Sequence, residues 1–594
     1  MDSIVFLGLS LSAWITVITV VALFLSLLLT KLQEDIAFLG AIAILLLTGV
    51  LTESEAFSGF SSSSVVVVGV LFVVVAGLKY TGVLNWIMQH FLGTPKSYTK
   101  AIVRLMASVA ALSAVLSNTT VVALFVQVVK KWANKLNTTP SKLLIPLSYA
   151  SGLGGICTII GTTPNLLISG MYTQDSGVSL GFFSTTIPGL VCLAVGILSV
   201  LAMRRLLPER KSPEKAFNNT AEYTFELLVP SDHPKIGSTM SEAGMMDVDD
   251  ATLIEVVRFD REVLSPVPKD EPLMGGDRLV YAGSIESILS FRQRAGLVNA
   301  PNPVFRVDDV DRNRTLRTAY VLPGCELLRK RISSTTFETD HHLTVIAVAR
   351  LGERINTSPR DTSIQVADLL LMECVPGSAD PEIKGLVFAD PSETIVPYNY
   401  KTLISSLILV GMIVLSSLEI LPLVQSAIIA AIAMLVFRCC SPLQAGKSVD
   451  WSILMVFAGS VVIGKAIEKT GLATILANGV MGFCGSEPYL VMSMMCLTAT
   501  FVTEFISNTA AGAIFYPIVY QSAISMGCDP TPFLISLMIA VSSSFATPIG
   551  SPTHLLVYGP GGYRFTDFLK IGLPMNIIIL ITNLLVVNLV YPLS

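Results

Sequence analysis

Apolar runs of membrane-spanning length recur along the chain in two groups of five. The first group lies near 3–30, 36–52, 62–79, 142–172 and 180–203, and the second near 402–418, 423–437, 450–467, 531–558 and 569–592. A helix needs about 20 predominantly apolar residues to cross a bilayer, so each run is a candidate crossing. A shorter segment centred on Ser117 falls between the third and fourth runs. Residues 205–398 follow another pattern, short β-like runs in polar sequence, and read as a soluble insert. The expected fold is a polytopic α-helical membrane protein with inverted repeats and two re-entrant hairpins, carrying a soluble cytoplasmic α+β insert of two tandem modules. Its divisions are membrane half 1–204, modules 205–298 and 299–398, and membrane half 399–594.

Polar positions inside the apolar runs repeat at one offset of about 390 residues. Ser117-Asn118-Thr119 returns as Ser507-Asn508-Thr509, and Gly161-Thr162-Thr163-Pro164-Asn165 as Gly550-Ser551-Pro552-Thr553-His554. Thr81-Gly82 and Thr470-Gly471 share the offset, so the duplication spans most of each half. Five crossings is an odd number, so two such halves must lie in the bilayer with opposite orientation.

Charge fixes a direction for that arrangement. In this count Lys31, Lys79, Lys96, Lys100, Arg104, Lys130, Lys131, Lys135, Lys142, Arg204, Arg205, Arg210 and Lys211 all fall on one side, joined by Arg438, Lys447, Arg564 and Lys570. That side is cytoplasmic by the positive-inside rule, with the insert on it and both termini outside. From Thr470 to Tyr563 there is no Lys or Arg, so the second hairpin enters from outside while the first enters from the cytoplasm.

Composition agrees: 594 residues, 52% hydrophobic and 14% charged, with mean hydropathy +0.68. That is too apolar for one soluble core, and it points to a multi-pass protein of the plasma (inner) membrane. A net charge of −4 says little about partners, since the lipid-facing surface is uncharged and the remainder close to balanced, and no nucleic-acid partner is expected. Nine cysteines without a Cys-x-x-Cys pair fit neither a disulfide framework nor a zinc site, and are expected as apolar filler. The first apolar run lacks a basic leader and a small-residue cleavage site, so it is expected as a retained helix.

In hydrocarbon every backbone polar group needs a partner, so a helix break is tolerated only where it is buried in protein or lines a cavity. Ser, Asn and Thr at a hairpin tip offer hydroxyl and amide oxygens, and an unwound turn frees carbonyls. Together they are ligands for a hard cation such as sodium. Helix N-termini at the same break favour an anion beside it. Gly161 and Gly550 permit the unwinding, and Pro164 and Pro552 keep the helix from running through. One copy alone reads equally as close helix packing by small residues. Two copies at matched offsets favour a pair of clamps.

Those residues, with Thr503-Glu504-Phe505-Ile506-Ser507-Asn508-Thr509-Ala510 and Leu116 before the first tip, resemble the divalent anion:sodium symporters. That family includes the sodium-coupled dicarboxylate, citrate and sulfate transporters. The resemblance implies a homodimer whose transport domain carries substrate across a fixed scaffold by an elevator movement. It implies a first sodium site from Ser113, Ser117, Asn118 and Gly161, and a second from Thr503, Asn508 and Gly550. Substrate would lie among Ser117, Asn118, Thr119, Thr162, Thr163, Ser507, Asn508, Thr509 and Ser551. The loops depart from the Pro-Pro-Asn ending of dicarboxylate carriers, reading Thr163-Pro164-Asn165 and Pro552-Thr553-His554. Asn165 and His554 occupy matching positions, and His554 is expected behind the site, bonded to backbone, with direct anion contact or pH sensitivity as the alternative. Glu504, matched by Ala114 in the first half, is expected to order its hairpin, with proton coupling as the alternative. Lys465 and Glu468 are expected as a snorkelling surface pair.

The insert has a repeat of its own. Thr252–Arg258 followed by Gly275–Val280 matches Leu343–Arg350 followed by Asp368–Leu371. These stretches resemble the TrkA C-terminal module of potassium-conductance regulators, which implies dimerisation or sensing of a cytoplasmic ligand. No Gly-x-Gly-x-x-Gly follows a strand here, so no NAD, ATP or other organic cofactor is expected.

The function expected from all this is sodium-coupled symport of a divalent oxyanion, sulfate before a dicarboxylate such as succinate or citrate. A regulated ion channel or proton-coupled exchanger ranks below it. A membrane enzyme ranks last, because no nucleophile with an adjacent base is legible in the membrane halves.

Overall fold

The structure, a computed structural model, describes residues 5–6, 9–29, 34–83, 97–136, 138–210, 224–246, 251–258, 262–264, 267–268, 270–283, 291–300, 315–322, 325–341, 343–350, 353–355, 359–374, 383, 385–388, 400–418, 420–484 and 487–593. Lys31, Lys96 and Lys211 lie outside them.

The first half is helical: α1 (Leu11–Leu29), α2 (Glu34–Leu47), α3 (Glu53–Ser58), α4 (Ser63–Tyr80), α5 (Tyr98–Ser113), α6 (Asn118–Lys135), α7 (Ser141–Gly155), α8 (Thr163–Ser176) and α9 (Thr186–Ala202). The second half contains α10 (Tyr400–Ser417), α11 (Leu423–Val436), α12 (Pro442–Ser448), α13 (Trp451–Lys469), α14 (Leu472–Cys484), α15 (Pro488–Val502), α16 (Asn508–Ser525), α17 (Pro530–Val541), α18 (Pro552–Gly561) and α19 (Phe565–Val590). Helix by helix the order repeats, α10 to α13 answering α1 to α4 and α15 to α19 answering α5 to α9. The counterpart of α14 would fall at 84–96, outside the described residues.

Among the described residues, four helical stretches are long and apolar enough to cross a membrane by length and composition: Thr186–Arg205, Tyr400–Ser417, Trp451–Lys469 and Phe565–Val590. The runs at 142–172 and 531–558 are each broken in two, as α7 with α8 and as α17 with α18. Residues 156–162 and 542–551 between them are non-helical. Pro164 and Pro552 sit in the first turns of α8 and α18, where a missing N–H costs nothing.

Both large hydrophobic cores draw on both halves. In one, Leu144, Ile145 and Tyr149 of α7 pack with Phe545, Val557 and Phe568. Tyr149 donates to the Phe545 carbonyl at 2.9 Å, with the two ring centroids 4.9 Å apart. The Tyr563 hydroxyl enters the first turn of α7, accepting from Ile145 N at 3.1 Å and donating to the Ser141 carbonyl. It relays the bond that the helix would otherwise make between those two groups. In the other core, Phe38 of α2 and Leu167 of α8 join Phe457 of α13 and Tyr516 of α16. The halves therefore fold as one interlocked body.

The insert contains two five-stranded antiparallel sheets. The first is built from β1 (Thr224–Leu228), β2 (Ala251–Arg258), β3 (Glu262–Leu264), β4 (Arg278–Gly283) and β5 (Val298–Asn299). The second is built from β6 (Thr315–Val321), β7 (Leu343–Arg350), β8 (Glu353–Arg354), β9 (Leu369–Cys374) and β10 (Leu386–Phe388). Their strand orders, β3-β2-β4-β1-β5 and β8-β7-β9-β6-β10, are the same. The repetition reaches individual bonds. Arg258 holds Asp277 through Nε (2.9 Å) and Nη2 (3.1 Å), and Arg350 holds Asp368 in the same way (2.8 Å each). Both guanidiniums are held above the ordinary arginine range by these carboxylates. The division between 298 and 299 expected from sequence cuts through β5, which pairs with β1 and so belongs to the first sheet. The sheets share a small core of Val257, Val280, Tyr320, Ile346 and Leu371.

Lys465 and Glu468 line a small cavity with Asp175 and Tyr516, where Tyr516 donates to Asp175 at 2.7 Å. The ion pair at that end of α13 is instead Lys469 with Glu55, at 2.7 Å. Lys469, in the last turn of α13, reaches α3, whereas Lys465 faces the cavity.

Candidate functional site

The first tip is the turn between α5 and α6, and the first loop is the break between α7 and α8. The Thr158 hydroxyl fastens them, donating to the Ala114 carbonyl and accepting from Gly161 N at 3.1 Å. Ser113 Oγ lies 2.8 Å from Ser151 Oγ, and Ser151 also donates to the Asn118 carbonyl at 3.3 Å. Gly155 and Gly161 are compressed against each other. A Cβ on Gly155 would meet Thr162 Cγ2 at 2.5 Å and both terminal atoms of Asn118 at 2.9 Å, and one on Gly161 would run into the Gly155 backbone. Only glycine lets the chain approach so closely. Asn118 Oδ1 is buried there with no hydrogen-bond partner among the described residues. An orphaned acceptor beside hydroxyls and freed carbonyls is chemistry that a sodium ion satisfies.

The second clamp repeats this frame. Thr547, at the same offset from Thr158, donates to the Glu504 carbonyl at 2.7 Å and accepts from Gly550 N at 3.0 Å. The Asn508 carboxamide faces a ring of oxygens: Thr503 Oγ1 at 2.7 Å, Ser544 Oγ at 3.1 Å, the Gly550 carbonyl at 2.9 Å and the Val541 carbonyl at 3.2 Å. The ring's hydroxyls donate to its carbonyls, Thr503 to Val541 at 2.8 Å and Ser544 to Gly550 at 3.0 Å, which leaves its centre open to one further donor or to a cation. The Asn508 amide nitrogen supplies that donor when turned inward. With its oxygen inward the same ring is a cation cage.

Glu504 has no counterpart in the first clamp. Its Oε1 accepts from Ala546 N (3.0 Å) and Asn576 Nδ2 (2.6 Å), and its Oε2 from Thr547 N (2.7 Å). The carboxylate is therefore spent on the second loop and on α19. His554 is buried in the cavity wall, with Nε2 2.7 Å from the Ser544 carbonyl and Nδ1 2.6 Å from Ser148 Oγ of α7. Asn165, its match, donates to the Thr158 carbonyl at 2.9 Å.

The tips and loops meet across the pseudo-repeat at one cavity of about 520 Å³. Ser117, Asn118, Thr119, Gly161, Thr162 and Thr163 line it from the first half, and Ser507, Asn508, Thr509, Ser551 and His554 from the second. Thr163 Oγ1 and Thr509 Oγ1 are 3.0 Å apart across the junction. Ser113, Thr503, Gly550, Asn165 and Glu504 stand behind this lining. Helices α6, α8, α16 and α18 begin at the tips and loops that line the cavity, so their positive dipole ends face it. Among the described lining residues the one Lys or Arg is Lys79, at the rim with Ser448 and Asp450. That rim lies on the insert's side, because the end of α4 is tied to the start of α10 by Thr402 donating to the Thr81 carbonyl at 2.6 Å. A second cavity, about 700 Å³, lies elsewhere, where the insert joins the membrane half.

Glu34, at the start of α2, was not anticipated. Its Oε2 accepts from Ser507 Oγ at 2.8 Å, so an acid from the first helices touches the second tip. Thr158, Thr547, Ser151 and Ser544 were missed as well. The shared offset of Thr158 and Thr547 is the signal that would have found that pair.

Two equivalent helix breaks facing each other across one cavity in an apolar helical body make that cavity the candidate substrate site of a membrane transporter. The profile of the citrate transporter family matches residues 24–483 and 455–593, and the chain belongs to that family of transporters, within the divalent anion:sodium symporter superfamily. An uncharacterized transporter of Synechocystis sp. is 29% identical over 596 residues, 97% of each chain. Sodium/sulfate cotransporter 1 of Chlamydomonas reinhardtii is 23% identical over 743 residues, 90% of this chain and 84% of its own. The solved structure of the Alcanivorax borkumensis YdaH transporter covers 98% of this chain and 97% of its own, at 14% identity and TM-score 0.41, a likeness too loose to argue from.

Proposed function

We propose that this protein is a sodium-coupled symporter of a divalent oxyanion, with sulfate as the cargo. The observation that carries the proposal is the oxygen ring around Asn508 paired with the orphaned Asn118 Oδ1, each directly behind a tip that lines the cavity. Sodium at these two places would supply the positive charge that the tips themselves lack. Hydroxyls, amides and helix N-termini would then bind an ion that offers only acceptors. Coupling follows from proximity: without the cations the anion would face carbonyls and Glu34. A relative named a sodium/sulfate cotransporter along most of the chain supports this cargo. The family's name supports a second reading, in which citrate or another dicarboxylate is carried.

In this account the halves lie inverted, the insert is cytoplasmic and both termini are outside. The cavity rim at Lys79 and Asp450 then belongs to a state open to the cytoplasm. The protein works as a homodimer whose α5–α9 and α15–α19 helices move against the remainder. The insert, a tandem of TrkA-C-like modules, restrains that movement through Tyr320. This side chain lies 5.4 Å under Lys130 of α6, and a Cβ on Gly559 of α18 would come within 2.9 Å of it. Both helices begin at the cavity. Uptake of labelled sulfate into proteoliposomes, with and without a sodium gradient and with succinate as competitor, tests the proposal. Uptake indifferent to sodium refutes the coupling, and sodium-driven uptake of succinate but not sulfate refutes the cargo.

A further inference from the structure

The 700 Å³ cavity shares no lining residue with the transport site. It lies where α9 runs into the insert, against the first turns of α7 and α19. Five cations line it, Lys142, Arg204, Arg205, Arg210 and Lys570, with two acids, Glu209 and Asp567. The acids are engaged: Arg210 holds Asp567 through two bonds of 2.8 and 3.1 Å, and Lys142 holds Glu209 at 2.9 Å. Among the described residues Arg204 bonds the neutral Thr99 hydroxyl, at 2.8 Å, and no acid. Arg205 and Lys570 are exposed and in no ion pair among the described residues. A rule that merely keeps basic residues on one side of a bilayer would leave them scattered. Here they converge, three in excess, on one concave site.

The apolar surroundings narrow the ligand. Leu206 beside Arg205 is 56% exposed, and α19 carries an outward stripe at four-residue spacing, Leu569 (42%), Leu573 (50%), Ile577 (52%) and Ile581 (53%), that starts next to Lys570. A soluble phosphate would use the cations and leave the stripe idle. A phospholipid uses both.

We propose that this cavity binds the headgroup of an anionic phospholipid, its phosphate between Arg205 and Lys570 and its acyl chains along α19. The headgroup would sit at the base of α7, where Arg210 N donates to Ser141 Oγ at 3.0 Å. It would thus brace the insert's linker against a helix whose far end is Gly155.

The test is native mass spectrometry and thermal melting of the full-length protein in detergent with added phosphatidylglycerol or phosphatidylcholine. The wild type should retain phosphatidylglycerol preferentially and melt higher with it. Arg205→Ala with Lys570→Ala should weaken that retention by about 30-fold, two basic contacts' worth, while its melting in phosphatidylcholine stays unchanged. Equal retention of the two lipids by the wild type overturns the proposal without any variant. So does undiminished phosphatidylglycerol binding in the double variant. A melting shift produced by inorganic phosphate alone, with the same residue dependence, assigns the cavity to a soluble phosphate and overturns the lipid.

Discussion

Replacing Glu504 with glutamine separates an acid that orders the second clamp from one that carries a proton. The carboxylate accepts three bonds, two on Oε1 and one on Oε2. A glutamine can keep its oxygen toward Ala546 N and Asn576. Its NH2 group must then face Thr547 N, donor against donor at what was a 2.7 Å contact. One charge-assisted bond, worth about 1.5–3 kcal/mol, is lost, and the remaining two become neutral. The total is about 3–6 kcal/mol, or more than about a hundred-fold if it falls entirely on the ordered loop. Because Thr547 also fixes the Gly550 amide, that loss should appear as weaker sodium binding at the second clamp. The assay is sulfate uptake against sodium concentration at pH 6 and pH 8, in Glu504→Gln and in Thr547→Ala. Both variants should need more sodium for half-maximal uptake, with the pH dependence of the wild type retained. Unchanged sodium dependence together with uptake that no longer responds to pH would refute the ordering role and install a proton carrier.

Further predictions follow from the same contacts. Gly155→Ala should abolish uptake while leaving the protein folded by melting temperature, since its Cβ strikes Thr162 and the Asn118 amide; uptake within threefold of wild type would contradict the close approach. A double-mutant cycle on Thr163 and Thr509 should give a coupling of about 0.5–1.5 kcal/mol in sulfate binding, and additive effects would show that the 3.0 Å contact does no work. Tyr320→Ala should raise the uptake rate without altering sulfate affinity if the insert restrains α6 and α18, and an unchanged rate would remove that role. Asp277→Asn should expose residues 205–398 to limited proteolysis, as breaking a buried ion pair costs about 3–5 kcal/mol; wild-type resistance would contradict it.

What could be read from sequence was what duplication exposes. Ser-Asn-Thr and the glycine-proline loops stand out because polar residues in apolar runs are costly, and because each occurs twice. The strands around Arg258 and Arg350 were legible for the same reason. Glu34 was not, since an acid at a helix start already reads as a partner for the helix dipole and nothing local links it to Ser507, 473 positions away. Ser148 and Ser151 were hidden as ordinary small residues of an apolar helix. Their partners, His554 and Ser113, come from separate segments. The module boundary slipped because β5 is two residues long and gains its meaning only from pairing with β1. Tyr320 reads as a strand residue, and only the packing of the insert against α6 and α18 gives it another part.

The central claim is that cations behind the two tips make the cavity an anion site. It is tested most directly by equilibrium binding of labelled sulfate to the purified protein, with sodium and with choline in its place, in the wild type, Asn118→Ala and Asn508→Ala. Sodium should tighten sulfate binding by at least about tenfold, a modest coupling of about 1.4 kcal/mol, and each variant should lose most of that gain while remaining folded. Sulfate binding equally tight in choline, or a sodium effect that survives both substitutions, would contradict the account.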